Sequence, residues 1–409
     1  MLLLALAAAG MLALACAPAS RWRAQAAPRS VEVPLLLESD DSSDSLSQIF
    51  AHEVPNIPIR ERLRPCCAFG SELQAKLGPI PVPFYRLSNL LEADGIGPHT
   101  YDSGLLMIRL GDEPGLLLND ERNGLVYTCG GGFIDTAHVR DYADWTLYLA
   151  AQVAIALETG TTIDLGEEGG ARRVVLEPIP REVIEEMGVR KLALVLAQWL
   201  AIQMSLYHEI VTGFGWAAVP GFSELASSFS PEDLYSNVIG TKIAAAIVYR
   251  RHAGSERQYN ANVGAWFRKV LLHLEAVPRD QASEAVSQLD GLWWDSSKRL
   301  PDPHLVRRRN FDFDTQLAPW LVPDALLTPE LRETCRDREP VVLSNPDQLD
   351  EFRFSDFARL EIDVPEKWMG DEPWRDLGPR ITQEDFPVLI AHLRKRALEV
   401  FGPRADRSD

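Results

Sequence analysis

Apolar positions gather into three long runs separated by stretches rich in glycine and proline, and the polar residues inside those runs carry most of the information. The first, from about Asp135 to Gly160, repeats at helical spacing and predicts a helix capped by Asp135 or Thr136. On it His138, Asp141, Tyr142 and Trp145 share one face, being three, four and seven positions apart. The second, about Arg190 to Thr212, is apolar nearly all round and predicts a helix buried on most sides. Its polar exceptions, Gln198, Ser205, His208, Glu209 and Thr212, fall within roughly a third of the circumference. They cut the apolar run below the roughly twenty residues a bilayer requires. The third begins at Ser230-Pro231-Glu232-Asp233, a capping hydroxyl, a proline at the first helical position and two acids placed for the helix dipole. Asp233, Asn237, Gly240 and Thr241 then form a small polar face that allows close approach of another helix.

Between these runs the pattern changes. Pro55 to Gly104 is punctuated by Pro and Gly and predicts loops with short extended pieces. Leu105 to Leu110 and Leu125 to Cys129 read as two strands of a hairpin, and Gly130 to Gly132 as a close turn from strand into helix. The glycines lack the Lys and Ser or Thr of a phosphate-binding loop. A second hairpin is expected near Gly169-Gly170, and an amphipathic helix over Asn260 to Ala276 that places His273 at a surface or helix end. Trp293, Trp294 and Trp320 read as large apolar anchors. Further on come an extended Pro340 to Leu343, a strand within Phe354 to Val364 and a helix from Gln383 to Phe401. The expected class is α+β, a helix-rich core of three principal helices with small β-hairpins and a covering segment or subdomain over 324–409.

Composition adds an address. Met1 to Ala15 is almost entirely Leu and Ala and ends just before Cys16, which predicts a lipoprotein-type export signal with Cys16 lipidated. No Lys or Arg precedes the run, and cleavage after Ala24-Gln25-Ala26 is the alternative. Residues 16–48 read as a disordered tether too polar to bury a core, leaving 49–323 as the main domain. The expected location is the periplasm or outer membrane, with membrane contact only through the lipid. A formal net charge of −18 argues against a nucleic-acid partner, so the expected partner is an envelope component or small molecule. In that oxidising setting a disulfide from Cys66 or Cys67 to Cys129 is the favoured pairing.

Several ionisable groups on apolar helices need a use or a partner. If the polar faces converge, they enclose a site lined by His138, Asp141, His208, Glu209, Asp233 and Asn237. The leading reading is a metal-dependent hydrolase: His138, His208 and Asp233 hold zinc or another divalent ion, and Glu209 and Asp141 supply acid–base chemistry. Thr212 stands where the zinc-protease helix motif has its second histidine, so the second ligand must come from another helix. Separation of His138 and His208 by more than about 8 Å would exclude a shared ion. Two other readings stand beside it: a non-enzymatic envelope lipoprotein whose polar faces form a buried network, and a cysteine hydrolase using Cys129, a histidine base and the glycine run.

Several segments in order carry a resemblance. They are Pro65 to Gly70, Asn123 to Cys129 with Gly131 to Asp141, Tyr207 to Trp216, Ser228 to Asn237 and Arg309 to Asp314. Together they are similar to the domain-of-unknown-function family numbered 4056, over roughly Pro55 to Pro323. The resemblance implies an exported or lipoprotein location and brings no established activity or catalytic residues.

Overall fold

The computed structural model describes residues 56–61, 64, 68–103, 121–217 and 223–406. The signal segment with Cys16, the tether, the vicinal Cys66 and Cys67 and the expected strand at Leu105 to Leu110 lie outside them. The chain is α+β. In order it forms the hairpin β1 (Leu125–Thr128) and β2 (Gly132–Asp135), helix α1 (Thr136–Ala156), the hairpin β3 (Thr161–Glu167) and β4 (Ala171–Leu176), and helices α2 (Val189–Gly213), α3 (Asp233–Tyr249) and α4 (Glu256–His273). Strands β5 (Ala358–Asp363) and β6 (Arg380–Thr382) follow, then helix α5 (Phe386–Phe401).

Helices α1, α2 and α3 pack against one another at the centre. By length and composition α2 is able to cross a bilayer, but it is mostly buried inside the protein. The approach of α3 to α1 depends on Gly240, where a Cβ would lie 2.2 Å from the carbonyl oxygen of Val139. Any larger residue would push the two helices apart, and with them the side chains one turn from the contact.

Strand β1 pairs with β2: Leu125 pairs with Asp135 and Thr128 with Gly132. The triple glycine is therefore the hairpin turn, and β2 runs directly into α1. Gly132 has φ +66° and a Cβ there would meet the carbonyl of Trp320 at 2.2 Å, so only glycine fits. Asp135 caps α1 by accepting from the backbone N–H groups of Ala137 and His138.

Two further expectations are corrected. The disulfide joins Cys129 to Cys335, 206 positions apart, so Cys129 does not pair with Cys66 or Cys67. And 324–409 is more than a cover. The antiparallel sheet runs β6-β5-β4-β3, so β5 is an interior strand paired with β4 along its whole length. Leu360 and Ile362 on β5 and Leu389 on α5 belong to the same buried core as α1 and α2. Strand alternation sends Val174, Leu176, Leu360 and Ile362 inward. Arg172 lies in phase with Val174, so a charged side chain enters the core from the inner face of the sheet.

Candidate metal centre

Three helices bring the site together. His138 is in the first turn of α1, His208 and Glu209 are near the end of α2, and Asp233 opens α3 with Asn237 one turn on. All five are buried, none more than 6% exposed. One donor atom from each of His138, His208 and Glu209 lies within 4.8 Å of the others, and the same holds for Asp135, His138 and Asp233. The imidazole centroids of His138 and His208 are 6.0 Å apart, inside the limit set above for a shared ion.

The donor atoms are oriented by their neighbours. His208 Nδ1 meets Glu168 Oε1 at 2.5 Å, and Glu168 is itself paired with Arg172. That is the inward-facing arginine of β4, and Glu168 lies in the β3–β4 turn. His138 Nδ1 is 3.4 Å from Asp233 Oδ1. Both histidines thus have a carboxylate beside Nδ1. Glu209 accepts the Phe229 N–H at Oε2, 2.6 Å, while Oε1 has no hydrogen-bond partner among the described residues. Asp233 Oδ2 accepts the Ser230 N–H at 2.8 Å. The helix begins at Asp233 rather than Pro231, and the Ser230 hydroxyl donates to Glu232 instead of capping. Both polar atoms of Asn237, 0% exposed, lack a partner among the described residues.

Charge balance is lopsided here. Burial pushes the Glu232 carboxyl up to about 8, with Asp135 adding to the effect. Burial raises Asp233 well above the carboxylate range, reinforced by Glu209, Glu232 and Asp135. Burial alone would lower His208, but Glu168 and then Glu209 lift it to about 9. Glu168 sits at about 2, because Arg172 and His208 overcome its burial. On the far side Arg309 is pulled down to about 10 by burial, against the attraction of Asp233, Glu209 and Glu232. Glu209, Glu232, Asp233 and Asp135 repel one another here, and Glu209 Oε1, Glu232 Oε1 and Asn237 Oδ1 have no hydrogen-bond partner among the described residues; a bound cation would relieve both.

Asp141 does not join. Its carboxylate takes Arg60 and Arg64 at 2.6 Å each, and the Arg64 N–H at 3.1 Å. It belongs to a second buried cluster in which Arg64 also reaches Glu121 and Asp144, and Asp144 accepts from His99 and the Tyr259 hydroxyl. The remaining polar positions of α2 are also spent locally: the Ser205 and Thr212 hydroxyls and the Gln198 amide bond carbonyls of their own helix. Cys129, bonded to Cys335, is not available as a nucleophile.

Glu168, Glu232, Arg309 and Trp216 were missed. The sequence reading takes Glu232 as a helix starter and assigns Arg309 no role; Trp216 packs edge-on to His208 at 6.3 Å. Only Glu168 had a usable trace in sequence, through Arg172: a charged residue on the apolar phase of a strand demands a buried partner.

Residues 54–323 match the family described as Protein of unknown function (DUF4056), and the chain belongs to that family. No curated protein and no solved structure matches it. The matched region covers the three site helices but stops before β5, β6 and α5, which complete the sheet and core.

Proposed function

We propose that this DUF4056 protein is a metal-dependent hydrolase in which His138, His208 and Glu209 hold one divalent ion, zinc by the chemistry of the donors. The observation that carries it is the convergence of those three donors within 4.8 Å, His138 from α1 and His208 and Glu209 from α2. Two donors about 2 Å from one ion stand at most about 4 Å apart, so closure by about 1 Å completes the set. Asp233 acts as the residue that orients His138, as Glu168 orients His208, rather than as a ligand. Such an ion would polarise a carbonyl or phosphoryl group and activate water. Glu232 is the group placed to hold the proton, since its raised carboxyl exchanges near neutral pH.

Access runs beside Trp216. A cleft of about 480 Å³ opens there, lined by Gly169, Gly170, Trp216, Asp363 and Lys367. Its glycine turn also carries Glu168, so the substrate approaches the side of the site that orients His208. The near-complete burial of His138, Glu209 and Asn237 favours a second reading, in which the ion fixes helix packing in a non-enzymatic binding protein of the envelope. Export and lipid attachment at Cys16 remain part of the proposal. The Leu/Ala run before that cysteine supports it, as does a disulfide between Cys129 and Cys335, a bond that persists in oxidising compartments.

The test is elemental analysis of tag-free protein, with His138→Ala and His208→Ala beside it, followed by chromogenic ester and peptide substrates with and without chelator. One equivalent of metal, lost in both variants, and chelator-sensitive turnover support the hydrolase. Metal without turnover favours the packing role. No metal after reconstitution defeats both.

A further inference from the structure

Behind the acidic site lies a cavity of about 240 Å³ between the end of α2, the segment around Leu225 to Ser228, the irregular segment 303–311 and helix α5. Its walls are mostly apolar, with Leu225, Phe311, Leu393 and Phe401 prominent. The ionisable residues lining it are Arg309, Arg396 and His304, and no acid is among them. This is unusual in a chain with 59 acidic residues against 41 Lys and Arg.

Arg309 is the informative member. It is only 6% exposed, yet its guanidinium donates to uncharged groups, the backbone carbonyls of Ala226 at 2.8 Å and of Leu225 and Pro303 at 3.4 Å. A buried guanidinium is costly without an anion in contact. Arg394 on the same helix does have acids in contact, Asp312 and, at 2.8 Å, Asp406. Arg396, about one turn along α5 from Leu393 and next to Ala397, is exposed and has no ion pair among the described residues. His304 is held by Asp302 at 3.1 Å.

We propose that this pocket binds an amphipathic carboxylate, a medium-chain acyl anion, with its tail against Leu393 and Phe401 and its head on Arg309 and Arg396. Charge complementarity and an apolar lining are the two halves of that recognition. Ser228 links the pocket to the metal centre, since it lines the cavity and its hydroxyl donates to the Glu209 carbonyl at 2.8 Å. The binding itself does not require a metal.

Calorimetric titration of the purified chain with decanoate, 1-decanol and acetate, each with chelator present, tests this separately from the metal proposal. Saturable decanoate binding is expected, weakened roughly tenfold or more in Arg309→Gln. A smaller loss is expected in Arg396→Glu, whose exposed position leaves folding intact if the first variant does not fold. Decanol should bind more weakly than decanoate to the wild type and be indifferent to either change. Absence of decanoate binding overturns the proposal, as does equal binding of decanol and decanoate with Arg396→Glu silent.

Discussion

Two clusters of buried charge are anchored on α1, and they are balanced in different ways. Around Asp141 and Asp144, Arg60, Arg64 and Arg140 face Asp102, Glu121, Asp141 and Asp144, and Glu121 and Asp144 are held below the carboxylate range, because Arg64 with Arg140 or His99 overcomes their burial. Around His138 and His208, burial and mutual repulsion push Glu232 and Asp233 upward, and Glu209 and Asn237 retain polar atoms with no partner among the described residues. The first cluster pairs its carboxylates with arginines and reads as architecture tying the segment at Arg60 and Arg64 to α1. The second leaves carboxylate and amide oxygens without a partner among the described residues, which is what the proposed cation would fill. Ionisable residues on an apolar helix therefore do not by themselves mark a site; the excess of one sign, with orphaned ligand atoms, does.

The largest effect expected from this contrast is at Arg64. In Arg64→Met the carboxylates of Glu121, Asp141 and Asp144 lose a shared cation in a dry interior, a class of change costing about 3–5 kcal/mol. Urea denaturation should show that loss, and metal addition should not restore it. A change below about 1 kcal/mol would mean that the network is solvated and that the contrast is drawn wrongly.

Next in size is the pH response of metal-free protein. Glu232 rises from 4.5 to about 8 on folding, so its contribution is fully present below pH 4.5, is lost as pH rises through about 8, and is constant beyond. Glu121 and Asp144 are lowered, so theirs is present above the usual carboxylate range and lost in acid. Thermal melts in chelator should therefore weaken on both sides of a mildly acidic maximum. Glu232→Gln should flatten the alkaline side only, and saturating metal should flatten it as well. An alkaline side unchanged by either would remove the charge argument for a cation.

Smaller again is Glu168→Gln. The carboxylate oriented on His208 Nδ1 is lost but every donor atom remains, and loss of such an orienting partner typically costs 10–100-fold in metal affinity. Competition with a chromogenic chelator measures it. Asp141→Asn, on the other cluster, should leave metal affinity unchanged, and equal weakening by the two would contradict the separation of the clusters.

Much of this was legible in sequence, for a reason that also explains the failures. The three central helices announced themselves because a 3.6-residue period sustained over five turns has few alternative readings. His138, His208, Glu209, Asp233 and Asn237 were found because polar side chains on such helices are conspicuous. Asp141 was misassigned because residues three apart are about 60° apart around a helix, close enough to share a face on paper and far enough to meet different neighbours. Its true partners, Arg60 and Arg64, come from a stretch without periodicity. Cys335 and β5 were misjudged because nothing local encodes which distant segment will arrive: β5 alternates well enough to be read as a strand, but its place inside the sheet is a tertiary fact.

The smallest predicted effect is also the one whose sign discriminates best. Asn237 is fully buried with neither amide atom bonded among the described residues, so in metal-free protein it bears a desolvation cost that nothing offsets. Replacing it by Leu, close in size, should leave that form equally stable or raise its stability by about 1 kcal/mol, within the range for an unsatisfied buried polar group. With metal bound the amide has a role beside the ligand set, and the same substitution should lower affinity. A variant that is more stable empty and weaker with metal describes a position kept for its guest. Loss of about 1 kcal/mol or more in metal-free protein would instead mean that Asn237 already has a structural partner, and would move the second cluster into the same class as the first.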